Sequence, residues 1–200
     1  MFALGARTTS LSVVILLFAL YHDSTLGLWI FKPLASLGFL LASVDAPKPS
    51  SMMRIGLVLA ALGDVLLISE KTFEAGLFSF LVGHIFYTLA FAQYPGFRPF
   101  FTTLSTIPLA CVVFPVHAYL QPYVEGEMQI PVAAYMLVVS IMVAFSFGTK
   151  NATCITGALL FYVSDLTVAR DQFVLREWAN KAVGLPMYYG AQLLLAWTMQ

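Results

Sequence analysis

Two carboxylates stand where an apolar chain should not hold them. Asp64 and Asp165 lie inside long hydrophobic runs, as do Lys32 and the titratable His84. A charge within hydrocarbon is costly, so such residues are rare and mark functional sites. Helical rise measured from flanking polar residues sets their depths. Asp64, six residues before Glu70, lies ~9 Å in, and Asp165, five before Arg170, lies ~8 Å in. Lys32 and Tyr188 fall at ~10 Å from the same face and His84 at ~15 Å, with Gln192 one helical turn beyond Tyr188. These depths predict one buried polar site that opens toward a single face of a bundle.

Two carboxyls close together in a low dielectric do not both ionise cheaply. One keeps its proton while the other stays charged, and the two share that proton. Such a pair supplies a general acid with a base or cation stabiliser, as in glycoside hydrolysis through an oxocarbenium-like state. It equally suits proton or cation movement in a transporter. Lys32 reads as an ion-pair partner or a substrate contact, but one lysine does not neutralise both aspartates. His84 reads as a hydrogen-bond bridge in the core or as a further substrate contact. Asp64, His84 and Asp165 lack the spacing of a metal-binding motif, so neither metal nor cofactor is expected. No GxSxG nucleophile elbow occurs.

The elements that position these groups must be membrane helices. Apolar side chains make up 60% of the 200 residues and charged ones 10%, against about 45–50% and 25% in ordinary globular proteins. A mean hydropathy of +0.87 leaves too little polar surface for water. The expectation is a single multi-pass integral-membrane domain over residues 1–200, an all-α bundle of about eight transmembrane helices with short loops. The spans read as 8–22, 25–44, 54–69, 75–93, 99–119, 129–148, 152–169 and 181–198. Asp45 to Ser51, with Pro47 and Pro49, breaks the chain after the second span, and Tyr94-Pro95-Gly96 and Gln121-Pro122 break it later. Net charge is zero and Lys and Arg are scattered, which excludes nucleic acid as a partner. Cys111 and Cys154 sit in apolar runs as small packing residues.

With eight spans both termini share a face. Arg7, Lys48, Arg54, Arg98 and Lys150 lie near that face, and Lys71, Arg170, Arg176 and Lys181 near the other, a slight excess that places the termini in the cytoplasm. Gly56-Ala60-Asp64 and Ser79-Gly83-Tyr87, each spaced by four, put small residues where neighbouring helices approach closely. Pro33 interrupts the second span beside Lys32.

Read in order, Lys32-Pro33-Leu34, GDVLLI at 63–68, GHIFYTLAF at 83–91, GALLFYVSD at 157–165 and Tyr188-Tyr189-Gly190-Ala191-Gln192 resemble the motifs of the YhhN-like lysoplasmalogenases. GALLFYVSD followed by YYGAQLLLA is the most specific part, and the likeness runs from the second span to the last. The resemblance implies a multi-pass membrane hydrolase that cleaves the vinyl ether bond of a lysoplasmalogen. Its products would be a fatty aldehyde and glycerophosphoethanolamine or glycerophosphocholine. The family's two catalytic aspartates fall on Asp64 and Asp165. Lys32, His84, Tyr188 and Gln192 would hold the phosphate or glycerol of a lysophospholipid among membrane lipids, with no cofactor. The sequence leaves open which aspartate is the acid, the apolar flank of Asp64 favouring that residue. A proton-coupled transporter or lipid translocator built on the same carboxylates is the alternative.

Overall fold

The computed structural model describes residues 1–44, 46–47 and 50–199. Asp45, Lys48 and Pro49, from the expected break after the second span, lie outside the described residues, as does Gln200. Among the described residues the chain forms eight α-helices and no strand: α1 (Phe2–Tyr21), α2 (Thr25–Val44), α3 (Ser51–Leu66), α4 (Phe73–Ala92), α5 (Pro99–Leu120), α6 (Gly126–Gly148), α7 (Ala152–Ala169) and α8 (Trp178–Trp197). The all-α membrane bundle expected from the sequence is what folds. Six helices (α1, α2, α4, α5, α6 and α7) are long and apolar enough to cross a membrane, and the protein is a multi-pass integral membrane protein. The other two are α3, at 16 residues only about 24 Å long, and α8, which carries Asn180, Lys181 and Gln192.

Local chemistry sets the helix ends. Ser50 caps α3 by accepting from the Met53 amide, and Asn151 caps α7 by accepting from those of Thr153 and Cys154. Short turns of other winding adjoin helix ends: a 3-10 turn at Glu70–Thr72 leads into α4, another at Gln121–Tyr123 follows α5, and a π-helical turn at Arg170–Val174 follows α7. Four spans differ from their expected limits by three residues or more. α1 begins at Phe2 rather than at residue 8, with Arg7 exposed within it; a long basic side chain near a helix end can lay its stem on apolar surface and keep its charge in water, so it need not end the helix. For the same reason α8 begins at Trp178 rather than at 181, with Lys181 exposed in its first turn. α3 runs Ser51–Leu66 instead of 54–69, and α6 begins at Gly126 rather than at 129.

Consecutive helices pair, α1 with α2, α3 with α4, α5 with α6 and α7 with α8; α2 also meets α3 and α8, α4 meets α6, α6 meets α7, and α1 meets α8. α5 sits at the rim with only Ser105 and Leu120 buried. Two faces are thereby defined. On one, Phe2 of α1 packs edge-on against Trp197 of α8, 4.6 Å between ring centres, and Asn151 donates to the Tyr94 hydroxyl at 2.7 Å. On the other, Tyr21 lies 5.5 Å from Trp178 and Phe73 lies 6.2 Å from Phe173.

Candidate active site

The two aspartates are held by different triples of helices. Asp64 projects from α3 into the junction with α2 and α8, where its Oδ2 accepts from Ser36 Oγ at 2.6 Å and from the Tyr188 hydroxyl at 2.8 Å. Lys32 Nζ stands 3.9 Å from the other oxygen. The backbone at Lys32 is itself held, because its carbonyl accepts from the Tyr189 hydroxyl at 3.2 Å. Asp64 is thus a nearly sealed carboxyl facing two hydroxyl donors and an ammonium, a set that suits an anion.

Asp165 projects from α7 toward α4 and α6. Its Oδ2 accepts from the Tyr135 hydroxyl at 3.1 Å and lies 3.6 Å from His84 Nε2. His84 Nδ1 is 2.6 Å from the Phe80 carbonyl, which only accepts, so the ring proton on that side is fixed on Nδ1. Nε2 then presents a lone pair toward Asp165 and has no other partner among the described residues. One hydroxyl and one lone pair suit a carboxylic acid that carries its own proton. Phe161, Tyr135 and Tyr87 surround the imidazole at ring-centre distances of 4.6, 5.3 and 6.2 Å and keep it dry.

Both carboxyls open onto one cavity of about 340 Å³. Its walls carry Lys32, Asp64, Asp165 and Tyr188 at depth, and Asp171, Asn180 and Lys181 at the face where α7 ends and α8 begins. Apolar walls come from Leu16 and Leu20 of α1 and from Val132, Met136 and Val139 of α6. The lining is mostly apolar with a few convergent polar groups, the composition of a ligand site.

Of the six residues singled out in the sequence, Lys32, Asp64, Asp165 and Tyr188 face this cavity. His84 and Gln192 do not. His84 stands behind Asp165, completely buried, and Gln192 is sealed one turn deeper, where its Oε1 accepts from the Tyr87 hydroxyl at 2.7 Å. Gln192 therefore ties α8 to α4 and is not part of the cavity wall. The expectation of a proton shared directly by the aspartates is also corrected. Among the described residues no hydrogen bond joins them, because α3 packs chiefly on α4 and α2 while α7 packs chiefly on α8 and α6. Ser36 and Tyr135 are site residues that sequence reasoning passed over. Ser36 had a signal, standing one turn after Lys32; Tyr135 is a lone tyrosine in an apolar run and had none. Among the described residues no three His, Cys, Asp or Glu side chains gather as a metal site would require.

Comparison with known proteins adds the relatives. Residues 27–199 match the model of the YhhN family. The chain is 33% identical to the lysoplasmalogenase TMEM86A of Bos taurus over 84% of its own length and 72% of that protein. It is 34% identical to the lysoplasmalogenase TMEM86B of Mus musculus over 78% of its length and 67% of that protein. To the uncharacterized membrane protein YhhN of Escherichia coli O157:H7 it is 26% identical, over 88% and 89% of the two chains. No solved structure matches.

Proposed function

As the chain belongs to the YhhN family, we propose that it is a lysoplasmalogenase, hydrolysing the sn-1 vinyl ether of a lysoplasmalogen to a fatty aldehyde and glycerophosphoethanolamine or glycerophosphocholine. The observation that carries this reading is a pair of carboxyls that face one cavity with opposite surroundings: Asp64 among donors and an ammonium, Asp165 with one hydroxyl and one lone pair.

A vinyl ether has no bond that a nucleophile displaces directly. Its hydrolysis starts with a proton delivered to the alkene carbon remote from oxygen, and the other alkene carbon becomes an oxocarbenium ion. Asp165 is the acid for that step, and the Asp64 carboxylate stabilises the cation across the cavity. Water then adds to the cationic carbon and passes a proton to Asp165, which regenerates the acid. The hemiacetal collapses to aldehyde and the glycerol hydroxyl. This assignment reverses the one favoured by the apolar flank of Asp64, because the hydrogen-bond partners, not the neighbours in sequence, decide which carboxyl an anion suits. Tyr135 and His84 position the acid; Ser36, Tyr188 and Lys32 position the anion. A cavity of about 340 Å³ takes a head group and the first carbons of the chain. The remaining chain lies along Leu16, Leu20, Val132 and Met136 toward the lipid.

The test is purified protein in detergent, supplied with a lysoplasmalogen and assayed for aldehyde without added metal. Aldehyde release that survives a chelator is the expected result. No release, under conditions where the protein remains folded, overturns the reading in favour of a transporter or translocator, which does nothing measurable without two compartments.

A further inference from the structure

We propose that Asp171 and Lys181, the open ion pair at the cavity mouth, bind the zwitterionic head of the substrate lipid, Lys181 taking its phosphate and Asp171 its ammonium group. The proposal rests on the hydrolase reading and adds to it the groups that select the head.

Among the described residues three ion pairs lie at this face, and two are closed. Arg170 Nη1 meets Glu177 Oε2 at 2.9 Å, and Arg176 Nη1 meets Glu70 Oε1 at 2.9 Å. Lys181 Nζ, by contrast, stands 3.8 Å from Asp171 Oδ2, beyond hydrogen-bond length. Only this third pair has both members on the cavity wall. Asp171 is nonetheless built into place. Its Oδ1 accepts from the Glu177 amide and from Asn180 Nδ2, each at 3.2 Å. Asn180 is locked in turn, donating to the Leu175 carbonyl at 2.7 Å and accepting from Arg170 Nη1 at 2.6 Å. One carboxylate oxygen is thereby satisfied, and the other is left toward the lysine and the cavity.

The winding of the chain adds to this. Arg170–Val174 is a π-helical turn, a rare conformation that recurs at functional sites. It places Asp171, Gln172 and Phe173, three successive residues, on the cavity wall.

The depth matches the substrate. Asp171 follows Asp165 by six residues along α7 and its π turn, roughly 8–9 Å along the axis. In an alkenyl glycerophospholipid the protonated carbon and the phosphorus are seven bonds apart, about 9 Å when extended. With the alkene at Asp165 the phosphate therefore reaches the level of Lys181, and the amino alcohol folds back onto Asp171. Charge balance gives the selectivity. A head with phosphate but no amine leaves Asp171 without a counter-charge and beside an anion, whereas a zwitterion satisfies both residues at once.

The experiment compares two substrates with the same alkenyl chain, one with glycerophosphoethanolamine and one with plain glycerophosphate, on the full chain in detergent. The wild type is expected to favour the amine-bearing lipid by about tenfold in kcat/KM. Asp171→Asn brings that ratio close to one, chiefly through KM, while Lys181→Met lowers kcat/KM for both lipids. Equal use of both lipids by the wild type overturns the inference and leaves the hydrolase reading standing, whatever the folding of the variants. So does a preference that survives Asp171→Asn, since Asp171 would then not select the head. No aldehyde from either lipid overturns the hydrolase reading and this inference with it.

Discussion

Asparagine has nearly the shape of aspartate but neither carries a negative charge nor gives up a proton, so it separates the roles of the two carboxyls. Asp165→Asn removes the acid from a site whose partners are a hydroxyl and an imidazole. Aldehyde release should fall by about 10²–10⁴-fold, the usual worth of a positioned general acid, with folding kept. Asp64→Asn should abolish activity too, but at a second cost. It leaves the Lys32 ammonium, 11% exposed, without its counter-ion, a change worth about 3 kcal/mol against folding. Lys32→Met placed on Asp64→Asn should then recover thermal stability in detergent without recovering activity. On the wild type Lys32→Met should be milder, because Ser36 and Tyr188 still hold the carboxylate. Full turnover in Asp165→Asn would remove that residue from the chemistry. Lys32, Asp64 and Asp165 were legible in the sequence because a charge in lipid declares itself by its cost. Ser36 and Tyr135 were not, because a hydroxyl among apolar residues costs little and its partner depends on which helix lies opposite.

Helices reach these positions through close approach where side chains are missing. Gly56 of α3 lies against the Tyr87 ring of α4, and a Cβ there would run into the ring; Gly83 faces the Gly56 carbonyl, and Ser79 Oγ donates to that of Leu59 at 2.7 Å. The four-residue stripes read from the sequence are this contact. Tyr87 holds Gln192 of α8, so pressure at Gly56 passes to a hydrogen bond between α4 and α8. Gly56→Ala should therefore destabilise by about 1–3 kcal/mol, as overpacking does, and lower the thermal midpoint in detergent. Gly190→Ala, on α8 with nothing within 4 Å of the new carbon, should leave the midpoint unchanged or raise it. Equal loss in both would mean that glycine content rather than the α3–α4 contact matters. Most helix limits followed from prolines and polar turns. Arg7 and Lys181 are exposed while their backbone is helical, because a long basic side chain near a helix end can keep its charge in water without ending the helix. Five prolines, Pro33, Pro108, Pro115, Pro131 and Pro186, likewise lie inside helices, because a bundle gives interrupted backbone other partners.

Across the whole molecule the polar site has a direction. The start of α1 and the end of α8 meet through Phe2 and Trp197 on one face, while the cavity opens among Asp171, Asn180 and Lys181 on the other. The depths counted from the sequence already gathered Lys32, Asp64, Asp165 and Tyr188 toward that second face. They did not show that the carboxyls belong to separate helix triples, since that follows from which helices become neighbours and not from distance along any one of them. A lysolipid carries a phosphate that crosses hydrocarbon slowly, so it should reach the carboxyls from the face of the mouth alone. Sealed vesicles holding protein with an N-terminal tag can be sorted into those that expose the tag and those that enclose it. Lysoplasmalogen added outside should yield aldehyde from vesicles that enclose the tag, because there the mouth points outward. Activity confined to vesicles that expose the tag would require a head-group route from the opposite face, where the start of α1 meets the end of α8 through Phe2 and Trp197.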